Sequence, residues 1–457
     1  MIDMTEGNIP LKILRFTIPL LLSNVFQQLY NIVDAIIVGQ FVGKQGIAAV
    51  GVSFPVMFLL IALVMGATMG TTVLISQFFG AKDIENLKKA ISTTYIVIFV
   101  LSIVMTITGI LSSSLLLNIL GTPADVRESS RTYLLIIFSG ITFSFGYNGL
   151  SAILRGLGDS KTPLYLLIFA TFINIFLDLL FIIPFKMGVA GAALATIIAQ
   201  GFSFLTGIIF LHKKNPVFNL KGRIVFDSNI FKKSLSIGIP SGIQQIMVSI
   251  GAMALMNIVN RFGTDTLAGF TAATRIESLA TMPAMNFSMA VTTFVGQNLG
   301  AKKMERVKKG VKSALLMTLG VNLFISALII AFPKYLISLF NRDPMVVKIG
   351  KEYLYTVGPF FFTFAIMFIF NGVLRGAGDT FIPMFSTIFS QVILRIPASA
   401  YLSKLLGTKG IWWGIPIAWL FGMLFSFTYY KIGNWKKKGI TAAIYEKEEI
   451  LEDLEKL

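Results

Sequence analysis

The sequence predicts an all-α integral membrane protein, with twelve transmembrane helices in two six-helix pseudo-symmetric lobes. Three observations carry this. Of the 457 residues, 55% are hydrophobic and only 13% charged, with a mean hydropathy of +0.78, whereas about a quarter of a soluble domain is charged. The apolar residues fall in runs that reach the ~20 residues a helical span needs, without the short alternating strands of a barrel. Finally, half the chain recurs. Gln77, Gly80, Ala81 and Lys82 match Gln297, Gly300, Ala301 and Lys302, and Arg155, Gly156, Gly158 and Asp159 match Arg375, Gly376, Gly378 and Asp379, all at one constant interval. Pro163 and Pro383 keep that interval, and Ile18-Pro19 against Ile239-Pro240 slips by a single residue. Secondary transporters are often built from such a duplicated apolar half.

In chain order the spans fall near 14–40, 54–79, 90–112, 131–155, 162–184, 188–211, 234–261, 267–297, 311–333, 350–375, 380–404 and 410–431. Met1 to Leu11 carries two acids and no cleavage pattern, and the first apolar stretch exceeds a signal-peptide core, so it reads as a retained span. Six spans return each half to its starting side, which makes the halves parallel repeats about an axis along the membrane normal. The lobes are then 1–212 and 234–433, joined by a polar linker at 213–233 with Pro216 and Gly222. After Trp435 comes Lys436-Lys437-Lys438 and an acidic segment, read as a cytoplasmic tail over 434–457 that forms a short helix or stays solvated.

Charge orients the bundle. Lys12, Arg15, the 82–89 loop, Arg155, Lys161, the linker, the 302–312 loop, Arg375 and the tail hold most of the Lys and Arg, which assigns them and both termini to the cytoplasm. The turn around Lys334, Arg342, Lys348 and Lys351 is the exception. The net charge of +17 therefore meets anionic lipid rather than nucleic acid. The absence of cysteine excludes disulfides and thiol chemistry.

A charged group within a span costs roughly 2.5–3.5 kcal/mol on insertion scales, so each such residue needs a reason. Asp34 lies deep in the first span, with Gln27, Gln28 and Asn31 within two turns; Asp178 lies in the fifth, four residues after Asn174 and on its face. Thr196 follows the small-residue run Gly191 to Ala195 in the sixth. Asp34, Asn174, Asp178 and Thr196 together offer only oxygen ligands, which suits Na+. Without a metal, two close carboxyls in low dielectric do not both ionise readily, which suits a shared proton. The bland alternative is that these groups only stitch helices together.

The second half has no acid in its seventh span, which offers Gln244, Gln245, Ser249 and Asn257; its deep charges are Arg275, Glu277 and Arg395. Glu277 either pairs with another helix or attracts a cationic substrate. Met247, Met253 and Met256, with Met282, Met285 and Met289 at helical spacing, suit a pocket tolerant of shape, or ordinary packing. Gln27, Asn31, Gln244, Met247, Met253, Met256, Glu277, Met282 and Met285 are thus the candidate substrate contacts. The phenylalanines from Phe360 to Phe370 line a cleft or face lipid. Gly66 and Gly70 mark a close helix approach. No phosphate-binding loop, nucleophile elbow or zinc motif occurs, and the single histidine, His212, sits at a span end. No enzyme and no cofactor are predicted; an ion gradient supplies the energy.

Taken together, Asn31-Ile32-Val33-Asp34, the two Gln-x-x-Gly-Ala-Lys segments, the two Arg-Gly-x-Gly-Asp segments and Arg395-Ile396-Pro397 resemble the multidrug and toxic compound extrusion (MATE) transporters, from about Ile9 to Tyr430. The resemblance implies two lobes around a cleft, export of cationic amphipathic compounds in exchange for Na+ or H+, and a monomer in a bacterial or archaeal cell membrane. In the prokaryotic branch with an amino-lobe cation site, the matching positions are Asp34, Asn174, Asp178 and Thr196. The NorM-like branch has further acids in the seventh and tenth spans; here the seventh has none and the tenth has none after Glu352. Thr274-Arg275-Ile276-Glu277 resembles the MepA-like exporters. Two alternatives stand beside this reading: a flippase of the same superfamily acting on lipid-linked oligosaccharides, and a membrane enzyme acting on lipid.

Overall fold

The computed structural model describes residues 1–214 and 224–439. Among the described residues every regular element is helical. The chain divides into two compact units: unit 1 takes Met1–Ile2, Ile18–Phe79 and Asp83–Gly238, and unit 2 takes Asp3–Thr17, Gly80–Lys82 and the chain from Ile239 onward.

The first half runs α1 (Ile9–Ile37) with a π-turn at Val38–Val42, α2 (Lys44–Gly80), α3 (Ile84–Ile119), α4 (Ala124–Ser139), α5 (Ile141–Gly156), α6 (Lys161–Ile182) and α7 (Gly188–Lys214). The second runs α8 (Ser228–Asn260), α9 (Thr264–Gly300), α10 (Met304–Ala331), α11 (Pro333–Ser338), α12 (Pro344–Val357), α13 (Phe361–Gly376), α14 (Phe381–Ile388), a π-turn at Phe389–Leu394, α15 (Arg395–Leu406) and α16 (Thr408–Ile432). Among the described residues ten continuous helical stretches are long and apolar enough to cross a bilayer, and the pair α4–α5, bent by 50° at Gly140, adds an eleventh. The remaining predicted span, the eighth, is α9. It is helical throughout, yet less apolar than the others, since it carries Asp265, Arg275 and Glu277. Asp265 and Arg275 are exposed, and Glu277 is partly buried beside Tyr353, while the later part of α9 packs against α10, α12 and α13 within unit 2, with every residue from Ala290 to Gly300 buried. That covered part holds Asn286, Thr292, Thr293, Gln297 and Asn298 against protein rather than lipid.

The helices also outrun the predicted spans. α2 begins at Lys44 and α3 at Ile84, and α7 and α8 extend into the predicted linker, leaving 215–223 outside the described residues. The predicted tail begins with a 3-10 turn, Asn434–Lys437, anchored by buried Trp435; residues 440–457 lie outside the described residues.

Within unit 1, α6 lies along α7, and α3 packs on α4 and α5. The Gly66/Gly70 pair receives the start of α8: a Cβ on Gly70 would stand 2.2 Å from the Ser234 carbonyl oxygen. The glycine spacing therefore does serve close helix packing. Both crossing helices, α1 and α8, change unit just before a proline, Pro19 and Pro240. Each proline removes one helical hydrogen bond.

Candidate functional site

The polar residues singled out in the first half converge in unit 1. α1 brings Asp34, one turn before its π-turn, and α6 brings Asn174 and Asp178 on one buried face, both fully excluded from solvent. The Asp34 and Asp178 carboxyls lie side by side, close enough to hold one proton between them. Asp34 Oδ1, both Asp178 oxygens, and both the oxygen and the nitrogen of the Asn174 amide are buried without a hydrogen-bond partner. Two carboxylates offer only acceptors, so the pair stays unsatisfied until a proton or a cation enters. Among the described residues no cluster of three or more His, Cys, Asp or Glu exists, so a cation here would draw on two carboxylates, an amide oxygen and a hydroxyl.

Thr196 on α7 joins through Tyr30, whose hydroxyl donates to Thr196 Oγ1 at 3.1 Å and lies within electrostatic reach of both acids. Tyr133, on α4 and buried, senses the same two carboxyls. The sequence reading did not name either tyrosine as a site residue. Tyr30 was findable, because it stands four residues before Asp34 on the same helical face. Tyr133 carries no local signal.

Next to Thr196 is a cavity of about 90 Å³, lined by Met57, Val64, Met65, Ser144, Asn148 and Gln200 among others. Its wall is mainly apolar with a few converging polar groups, the usual make-up of a small-molecule pocket. Gln27 and Asn31 do not reach this cavity's lining; they are exposed on α1 and face each other at 3.5 Å.

The candidates of the second half are scattered across unit 2. The Gln244 amide nitrogen donates to Thr387 Oγ1 at 2.6 Å and approaches the Pro383 carbonyl at 3.3 Å, which ties α8 to α14. Met253 and Met285 are exposed, Met247 and Met282 are partly buried, and Met256 packs on the aromatic core of unit 2. Glu277 accepts a hydrogen bond from the Tyr353 hydroxyl and feels the Arg395 charge without forming an ion pair. Tyr353 is the repeat counterpart of Tyr133, at the interval that relates Arg155 to Arg375. The two halves therefore share a tyrosine but differ in charge: unit 1 gathers two acids, whereas unit 2 sets one acid near a guanidinium. Phe361 and Phe364 of the aromatic run pack on Trp419, in the core rather than along a cleft.

Comparison with known proteins fits this geometry. The MatE family profile matches the chain twice, over residues 19–180 and 240–401, once per half. The chain is 36% identical over 436 residues to the probable multidrug resistance protein YpnP of Bacillus subtilis, covering 95% of this chain and 97% of that one. It is 31% identical over 444 residues to the probable multidrug resistance protein NorM of Thermotoga maritima, covering 94% of each. A crystal structure of MATE in the bent conformation superposes with a TM-score of 0.88 at 26% identity, covering 95% of this chain and 98% of the other.

Proposed function

The chain belongs to the MatE family of multi-pass membrane proteins, and from that premise we propose that it is a secondary active multidrug exporter driven by Na+ or H+. The observation that carries this reading is the Asp34–Asp178 pair: Asp34 Oδ1, both Asp178 oxygens and the Asn174 amide oxygen are buried without a donor. A structural pair would be satisfied by its neighbours; a coupling site has to wait for its ion. The names of YpnP and NorM support the multidrug part of the reading.

The exported compounds are cationic and amphipathic small molecules, for which the cavity beside Thr196, at about 90 Å³ too small to enclose one, offers part of a binding surface. Apolar walls with Met57 and Met65 adapt to different shapes, and the nearby acids favour positive charge. Ion and drug then compete. An ion entering between Asp34 and Asp178 neutralises the charge that attracts the drug, and Tyr30, bonded to Thr196, carries the change to the cavity wall. Exchange requires that ion and drug prefer different states of the protein, because equal affinity shifts no equilibrium. The Lys- and Arg-rich loops support an orientation with both termini in the cytoplasm.

The test is drug efflux from proteoliposomes under separately imposed Na+ and pH gradients. Wild type should respond to at least one gradient, and Asp34→Asn should lose that response while still unfolding cooperatively on heating. Undiminished gradient-driven efflux by Asp34→Asn would refute the coupling assignment.

A further inference from the structure

We propose that Arg155 is the centre of an oxyanion site in unit 1 that takes a phosphate group. Arg155 ends α5 one residue before Gly156, where a Cβ would stand 2.8 Å from Ile75 Cγ2 and 3.0 Å from the Thr72 carbonyl oxygen. The helix end is thus pressed onto α2 and carries the guanidinium into packed surroundings. Its Nε is sealed from solvent and has no hydrogen-bond partner, and the side chain as a whole is only partly exposed.

Arg155 lies in the last turn of α5, where the helix C-terminus favours a cation, but no side-chain counter-charge meets it among the described residues. No ion pair involves Arg155. The carboxyl four residues on, Asp159, is already engaged by the Lys161 and Thr162 amides at 3.0 Å and by the Thr162 hydroxyl at 2.7 Å. The one titratable group that Arg155 senses is the Tyr147 phenol, two turns earlier on the same face. That hydroxyl donates to the Pro163 carbonyl. A buried guanidinium without a counter-charge is costly, and a fork of in-plane N–H donors matches two oxygens of one oxyanion.

The repeat supplies its own comparator. Arg375 stands at the same place on α13 and its Nε is likewise buried without a partner, but its Nη2 donates to Ser288 Oγ at 3.0 Å. The unit 1 counterpart of Ser288 is Thr68, whose hydroxyl turns instead to the Met65 carbonyl. Arg375 is therefore partly satisfied from within, and Arg155 is not. The choice of phosphate follows from the place in the chain: Arg155 stands at the end of the bent helix pair Ala124–Gly156, and basic side chains at span ends meet lipid phosphates. A headgroup phosphate and free inorganic phosphate offer the same oxygens.

The experiment follows thermal unfolding of the full chain in a phosphate-free detergent. Inorganic phosphate, short-chain phosphatidylglycerol and a chloride control of matched ionic strength are added in turn, with Arg155→Gln, Arg155→Lys and Arg375→Gln beside wild type. The wild-type midpoint should rise by a few degrees with phosphatidylglycerol. Arg155→Gln should lose that rise, Arg155→Lys should recover less than half of it, and Arg375→Gln should keep it. A rise with both additives identifies free phosphate as a sufficient ligand; a rise with the lipid alone identifies the headgroup as the source. No rise in wild type with either additive, or the same rise in Arg155→Gln, overturns the site. A purely structural arginine would instead lower the midpoint of Arg155→Gln equally with and without additive, and that result overturns it as well.

Discussion

At the scale of single residues, the unit 1 site has its polar atoms arranged for something other than stability. Asn174 shows this most sharply, since both ends of its amide are buried and unpaired. A buried unsatisfied polar group costs about 1–3 kcal/mol, and an apolar group of similar shape removes that penalty. Asn174→Leu is therefore expected to leave the unfolding midpoint unchanged or raise it by the equivalent of about 1 kcal/mol, while gradient-driven efflux falls. A drop in stability together with retained efflux would make Asn174 a packing residue. Tyr30→Phe makes a milder change. It removes the hydroxyl that donates to Thr196, so stability should fall by about 0.5–1.5 kcal/mol and efflux should weaken without vanishing, as read by proteoliposome transport.

At the scale of elements, close approach and strained turns repeat with the halves. Gly372 on α13 would place a Cβ 2.5 Å from the Ser288 carbonyl oxygen of α9. That contact is with backbone and cannot relax cheaply, so Gly372→Ala should lower stability by about 1–3 kcal/mol, measured as a lower unfolding midpoint in detergent. The turns after α2 and α9 carry Lys82 at φ 58° and Lys302 at φ 59°, both in the left-handed region. A non-glycine residue costs roughly 1–2 kcal/mol there, against up to about 1 kcal/mol for the extra freedom of an unfolded glycine. Lys82→Gly should thus stabilise the protein by at most about 1.5 kcal/mol; a clear loss of stability would mean that the lysine side chain contributes a contact larger than the strain.

For the whole molecule, the division into units does not follow chain order. Residues Asp3–Thr17 belong to unit 2, while the start of α8 as far as Gly238 belongs to unit 1. The leading segment is held firmly: the Met4 amide donates to Gln297 Oε1 at 2.9 Å, and its carbonyl accepts from Asn298 and Arg306. Each half expressed alone would therefore lack a piece of its own unit. Cutting the chain within 215–223 and co-expressing the halves should restore efflux from vesicles, whereas either half alone should be protease-sensitive; a stable, protease-resistant single half would contradict this division.

Much of the fold was legible because a bilayer imposes a simple rule on sequence. The spans and the duplication follow from apolar length and from motifs such as Gln77 and Gln297 or Arg155 and Arg375, and the Asp34–Asn174–Asp178 set follows from the insertion cost of charge. The fold alone shows what depends on neighbours. α9 buries Asn286, Gln297 and Asn298 within unit 2, α4 and α5 bend at Gly140, and Gln244 bonds α14. Tyr133 joins the acid pair from a helix far away in the chain. Burial in lipid is decided residue by residue, so sequence by itself determined the class, the repeat and the candidate acids; which polar groups meet, and which are left without a partner, is decided by the packing of distant helices, which only the tertiary structure contains.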